Sequence, residues 1–569
     1  LLLANLLAPV GGGALSENVS QQEYSKLFAG DHLGVISSSE YFSRGDWIQS
    51  LSQYGVIGNS SYAIDGYYRS ENGDRPNSEL EQLGVSVKFK QQATPDDGLF
   101  VQAIYFGADA GDVAQYWDWD RSLRTPPGTV RNVPRPDFSL SVRERQEPLV
   151  FMGYDHKWAE GVHTLFLGGR LVDNFELRGS KSFTFYDLTG GVELPSGSRA
   201  PVELDTDFEA YSAEVQQLFQ SHRHTIIVGA RYQDGESDVH SLALTVRQQH
   251  EVGQRRATGY GYYFWQPVDP LQLIGGVSYD YLEYPQNVSA PPISGEDRSK
   301  DQVSPKAGFY WAVHTNTIIH GAFTRSLGGV YYDTSVRLEP TQIAGFNQAY
   351  RSIIPESVAG LIPGSEFETF GLGLQQKFAT RTYVTISGEV LNSEAGRTTG
   401  AFELVPIGQP IPPLQVGEKI DYHEKSLTAV INQLVGKFWS IGGAYRLSGA
   451  ELEQRFDLPP VLRPFHDTDL RATLQQGSIF VLFSHPSGFF AQANSLWSWQ
   501  DNRGYSPDIP GDEFWQFNMY LGYRFVHRRA EARIGLLNIT DENYRLNPLT
   551  VYSELPRSRT IYASLRFYY

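Results

Sequence analysis

The stretch Trp515-Gln-Phe-Asn-Met-Tyr-Leu-Gly-Tyr-Arg-Phe525 decides how the chain is read. Trp515, Phe517, Met519, Leu521, Tyr523 and Phe525 alternate with Gln516, Asn518, Tyr520, Gly522 and Arg524. A period of two marks a strand with one apolar face and one polar face. The pattern recurs far from this stretch. Ile561, Ala563, Leu565, Phe567 and Tyr569 alternate with Thr560, Tyr562, Ser564, Arg566 and Tyr568. Phe370, Leu372 and Leu374 do so against Thr369, Gly371 and Gln375, and Ala530, Ala532, Ile534 and Leu536 against Glu531, Arg533 and Gly535. A soluble β-sandwich alternates in the same way, so the spacing between strands has to decide.

Short breaks fall at Gly58-Asn59, Thr94–Gly98, Ala159–Val162, Ser221–His224, Val268–Pro270, Val313–Asn316, Ala379–Arg381, Gly436–Trp439, His485–Gly488 and His527–Arg529. Longer polar segments lie between them, including Ala108–Gln146, Arg178–Glu203, Leu327–Glu366, Glu394–Glu418 and Asp541–Pro556. Tight turns at one end and long loops at the other indicate an all-β transmembrane antiparallel β-barrel of the outer membrane. With both chain ends in the periplasm, ten periplasmic turns join eleven hairpins, which gives 22 strands with extracellular loops between them.

Composition agrees. The 569 residues carry a net charge of −17, 13% aromatics, two Met and no Cys. No run of ~18 apolar residues occurs, which excludes a transmembrane helix. A mean hydropathy of −0.34 suits a barrel, because alternation dilutes the apolar face. The absence of Cys removes disulfides, thiolate metal sites and c-type haem attachment. The acidic balance argues against nucleic acid as a partner. Residues 32–569 form the barrel, and residues 1–31 read as a periplasmic segment, either a signal-peptide tail or the stump of an upstream domain.

The C-terminal Gly535-Leu-Leu-Asn-Ile-Thr-Asp-Glu-Asn-Tyr544, ending Ser558-Arg-Thr-Ile-Tyr-Ala-Ser-Leu-Arg-Phe-Tyr-Tyr569, resembles the last two strands of TonB-dependent receptors. Val303-Ser-Pro-Lys-Ala-Gly308 with Ala322-Phe-Thr-Arg-Ser326 resembles a mid-barrel hairpin of that family. Ser558 stands where the family usually has Gly. The resemblance implies a barrel that transports a bulky solute and whose lumen is plugged. No plug domain fits before the first strand, so the plug is expected from a partner domain or chain, or from long loops folded inward. Leu327–Glu366 and Ala108–Gln146 are long enough for that. The chain also resembles plugless barrels that follow periplasmic helical-repeat (TPR) regions, with Ser20–Phe28 as a short helical candidate at the junction.

The polar phase of the strands places Arg170, Arg231, Glu389, Arg446, Arg524, Glu531, Arg533 and Arg566 towards the lumen, where they could hold anionic cargo or clamp an inserted domain. Any polar lumen also carries such residues. Tyr116, Trp117, Asp118, Trp119 and Asp120 lie in a long outer loop. Aromatics beside carboxylates could stack on sugars or hold a cation, or anchor the chain at the interface. His222-Arg223-His224 reads as a solvated turn and Gly259–Tyr263 as barrel packing. No P-loop, H-E-x-x-H or G-x-S-x-G occurs, so no catalytic role, cofactor or metal is expected. Three functions remain: uptake of a bulky solute, an export conduit fed by a helical-repeat domain, or a barrel anchoring a surface complex. The expected surroundings are outer-membrane lipid and lipopolysaccharide of a Gram-negative cell, with a plug or periplasmic domain as partner.

Overall fold

The computed structural model describes residues 32–569 apart from 118–136, 182, 188–191, 196–198, 330–336, 349–361, 407–408, 460–466, 507, 526–528 and 551. The main sheet holds 24 strands. Two of them, Thr184–Asp187 and Val192–Pro195, form a small hairpin beside the wall, which leaves 22 wall strands paired antiparallel in chain order. The first, His32–Phe42, pairs with the last, Thr560–Tyr568, from Ile36↔Tyr568 to Phe42↔Tyr562. The sheet is therefore closed and every strand has two neighbours, as hydrocarbon demands of backbone polar groups.

Each of the ten short breaks falls between two paired strands. Gly58-Asn59 is a two-residue turn that joins Ile57 to Ser60, with Gly58 at φ 57, a conformation that favours glycine. At the other end the strands differ in height. His32–Phe42 and Trp47–Ile57 have 11 residues each, whereas Val246–Val268 and Pro413–Val435 have 23. The tall strands correct one expectation. Glu394–Glu418 is mostly sheet, because Thr382–Glu403 and Pro413–Val435 stay paired up to Phe402↔Pro413. The outer connection at Leu244-Thr245 is a tight turn between Ala243 and Val246, with Leu244 at φ 59. Polar sequence there reflects a sheet that has risen into water. Ser20–Phe28 lies outside the described residues.

The outward face is apolar and exposed. Leu521, Leu565 and Ile561 are 54%, 52% and 61% exposed, alongside Trp515, Val277, Phe370 and Ile479. Tyr211, Tyr232, Tyr279 and Tyr281 ring the outer boundary of this band, and Trp158, Trp265, Trp311 and Trp439 sit beside the periplasmic turns. An apolar band between two aromatic girdles is the outside of a membrane-spanning barrel. Leu521→Arg should destabilise the barrel by ~2–4 kcal/mol through charge placed in hydrocarbon. Urea unfolding in lipid vesicles measures this, and a change within error would contradict a lipid-facing Leu521.

Candidate functional site

Arg231, Glu389, Arg446, Arg524, Glu531, Arg533 and Arg566 face the lumen, each one position out of phase with outward apolar residues or paired to an inward neighbour. Four of them form one patch near the periplasmic end. Arg524 Nε donates to Glu531 Oε2 at 2.8 Å, and Arg533 Nη2 donates to Glu531 Oε1 at 3.1 Å. Both guanidinium groups lie over the Phe490 ring, at 4.4 and 5.3 Å. Arg566 reaches Glu40 at 3.3 Å. Three strands away along the wall from Arg524, Arg446 stands 3.8 Å from Glu424. These arginines keep part of their side chains exposed, so the wall does not fill the space it encloses.

Arg170 does not belong to this set. It faces outward, pairs in register with Tyr211 and donates to Glu209 at 2.7 Å near the outer girdle. The polar phase misleads here because the inner wall is apolar: Phe151, Leu167, Leu171 and Phe208 point inward and pack together, with Leu338 against them.

Leu338 comes from the long segment after Leu327. Residues 337–348 lie on the inner wall and contain a small hairpin, Gln342–Ile343 with Phe346–Asn347. Glu214 holds its start. Its Oε2 accepts from Leu338 N at 2.9 Å, and its Oε1 accepts from Glu339 N at 3.0 Å and from Tyr260 OH at 2.7 Å. The Tyr262 hydroxyl donates to Glu339 Oε1 at 2.6 Å, and Gln216 Nε2 donates to Leu338 O at 2.8 Å. The hairpin packs Ile343, Ala344 and Phe346 onto Tyr260, Tyr262 and Ala322, and His320 Nδ1 bonds Ala344 O at 2.7 Å. Gly371 and Gly308 leave room: a Cβ at Gly371 would lie 2.3 Å from the Phe346 ring. Beneath runs a buried ionic chain, with Arg256 Nη2 on Asp280 at 2.8 Å and Lys306 3.9 Å from Glu339. Removing one partner of such a buried pair costs ~3–5 kcal/mol.

The last outer loop also turns inward. Gln500 Nε2 donates to Asn547 O at 3.0 Å, and Gln516 Nε2 donates to Glu542 O and Pro556 O at 3.0 and 3.1 Å. Tyr544, Leu546 and Tyr552 pack on the inward Leu474 and Phe514. Burial pushes the Tyr544 hydroxyl up to about 12, so the group stays neutral. Leu549 from this loop and Ile362 from the other meet in one apolar cluster with Phe367, Ile420 and Tyr422. Asn538 has φ 48 and donates to Glu542 O and Pro556 O at 2.8 and 2.9 Å, closing the loop at its base.

Tyr116 and Trp117 are buried, at 7% exposed each, which corrects the exposed sugar-stacking reading. The Tyr116 hydroxyl donates to Asp112, and Arg75 stands 4.9 Å from its ring centre. Asp118, Trp119 and Asp120 lie outside the described residues. Glu214, Gln500 and Gln516 escaped sequence reading, since only contact with a distant loop distinguishes them from other polar-phase residues. Among the described residues no group of three His, Asp or Glu is arranged to hold a metal ion.

Solved structures share this architecture at low identity. The copper transporter OprC superposes with a TM-score of 0.60 at 12% identity, covering 95% of this chain and 81% of that one. The siderophore receptor PiuA from Acinetobacter baumannii gives 0.59 at 12%, over 95% and 82%. The ferric citrate transporter FecA, unliganded, gives 0.58 at 13%, over 94% and 78%. These are barrels of the TonB-dependent receptor type, so the fold is that of an integral outer-membrane barrel. No family model and no curated protein matches the chain. Glu214→Gln sets an amide N–H against the Leu338 N–H or, flipped, against the Glu339 N–H, and should loosen residues 337–348 by ~1–3 kcal/mol. Amide hydrogen exchange should then accelerate in that segment and not in the wall strands. Unaltered protection would show that Glu214 does not hold it.

Proposed function

We propose that the chain is the wall of an outer-membrane transporter for a bulky solute, of TonB-dependent receptor type, with its plug supplied by another domain or chain. The division of the lumen carries the reading. The outer half is lined by two of the chain's own loops, which share an apolar cluster through Ile362 and Leu549. The periplasmic half carries partly exposed Arg524, Arg533 and Arg566, suited to clamp an inserted domain or to lead an anionic solute past the wall. Likeness of fold to barrels described as a copper transporter, a siderophore receptor and a ferric citrate transporter supports transport over catalysis. The aromatic girdles would sit among outer-membrane lipid and lipopolysaccharide.

One observation favours a second reading. Loops seated on the wall by Glu214 and Gln516 would equally suit a sealed barrel that anchors another outer-membrane or surface complex. Single-channel recording separates the two. The chain in a planar bilayer should conduct rarely, and a variant with residues 337–348 replaced by a Gly-Ser linker should show large, steady openings. A variant as silent as the original would sink the transport reading and leave the sealed scaffold.

A further inference from the structure

Polar residues gather at hydrocarbon depth on the outside of the first two strands. The outward phase of His32–Phe42 reads Leu33, Val35, Ser37, Ser39 and Tyr41. That of Trp47–Ile57 reads Trp47, Gln49, Leu51, Gln53, Gly55 and Ile57. The phase is fixed by register: Ser37 and Ser39 stand opposite Phe567 and Leu565, which face lipid. Tyr41 and Trp47 stand opposite each other at the outer boundary, and Leu33 and Ile57 lie at the periplasmic end. Two serines and two glutamines therefore lie between the girdles. Ser495, by contrast, stands alone between Ile479 and Phe517.

The four residues are knitted sideways. Gln49 Nε2 donates to Ser37 Oγ at 3.1 Å, the Ser39 hydroxyl bonds Gln49 Oε1, and Gln53 Nε2 donates to the Tyr62 hydroxyl at 2.6 Å. These bonds make the patch tolerable in an isolated barrel. They do not explain why it is polar, since hydrocarbon offers neither donor nor acceptor and aliphatic side chains would do better there. In register the serines stand opposite Phe567 and Leu565 and the glutamines opposite Tyr68 and Ile64, while Gly66 adjoins Leu51 and Ala563 adjoins Tyr41. Uncharged hydrogen-bonding residues gathered at one depth are of the kind that makes protein contacts inside a bilayer.

We infer that this face is the interface of a homodimer within the membrane. Its occupant must be embedded at the same depth and both donate and accept hydrogen bonds without charge. A second copy meets both conditions. A two-fold axis along the membrane normal brings equal depths together, and a carboxamide both donates and accepts, so identical patches are complementary. The outer rim is also low here. The two patch strands have 11 residues each and the strands flanking them 9 and 12, against 20 to 23 on the taller part of the wall, so a second barrel can approach closely. The inference rests on the membrane fold and not on what the lumen carries.

The chain has no Cys, which makes the test direct. Ser39→Cys, oxidised in outer membranes, should give a disulfide-linked dimer of this chain on a non-reducing gel. Ile386→Cys, at an outward position elsewhere on the wall, should remain monomeric. Gln49→Leu with Gln53→Leu should weaken dimerisation roughly tenfold in single-molecule photobleaching. That pair suits a lipid-facing position, so the barrel should still fold. A monomeric Ser39→Cys, cross-linking only to a different protein, or a leucine pair that dimerises as before would each overturn the inference.

Discussion

Hydrocarbon accepts no unpaired backbone N–H or C=O, and the rest of the structure depends on that constraint. It closes the sheet, so that His32–Phe42 must find Thr560–Tyr568. It turns the apolar phase outward, where Leu521 and Ile561 meet lipid. Closure with 22 strands then encloses a space that wall side chains cannot fill. Loops that enter this space bring their own backbone groups, which also need partners. Glu214 supplies them for Leu338 and Glu339, and Gln516 does so for Glu542 and Pro556.

The two halves of the lumen therefore answer different demands. In the outer half the inner wall carries apolar patches under the loops, as Phe151 and Phe208 are beneath Leu338. Charges that remain there are buried in pairs, Arg256 with Asp280 above all. Towards the periplasm the wall stays polar and its arginines pair in place with Glu531 and Glu40 while remaining partly exposed. This combination is what the proposed transport role rests on. The proposed dimer face belongs to neither half, because it looks into the bilayer.

Much of this was legible in the sequence. Period-two alternation and the ten tight turns set the barrel and its strand number, because the bilayer imposes both on local sequence. The polar phase located Arg231, Glu389, Arg446, Arg524, Glu531, Arg533 and Arg566 on the inner face. It misplaced Arg170, because phase reveals the inside only where the inside is wet, and beside Leu338 it is dry. Length marked Leu327–Glu366 as able to fold inward, but the seat on Glu214 depends on a contact more than a hundred residues away, which no local pattern records. Tyr116 and Trp117 read as exposed for the same reason: their burial is tertiary.

The seat of residues 337–348 on the inner wall is tested most directly with a cysteine pair, Gly308→Cys with Ala344→Cys. A Cβ at Gly308 would lie 3.1 Å from that of Ala344, within a small adjustment of disulfide geometry. With no other Cys in the chain, the pair should oxidise spontaneously in the outer membrane and shift the band on a non-reducing gel. Free thiols, both open to a membrane-impermeant maleimide added from outside, would contradict a segment seated on the wall.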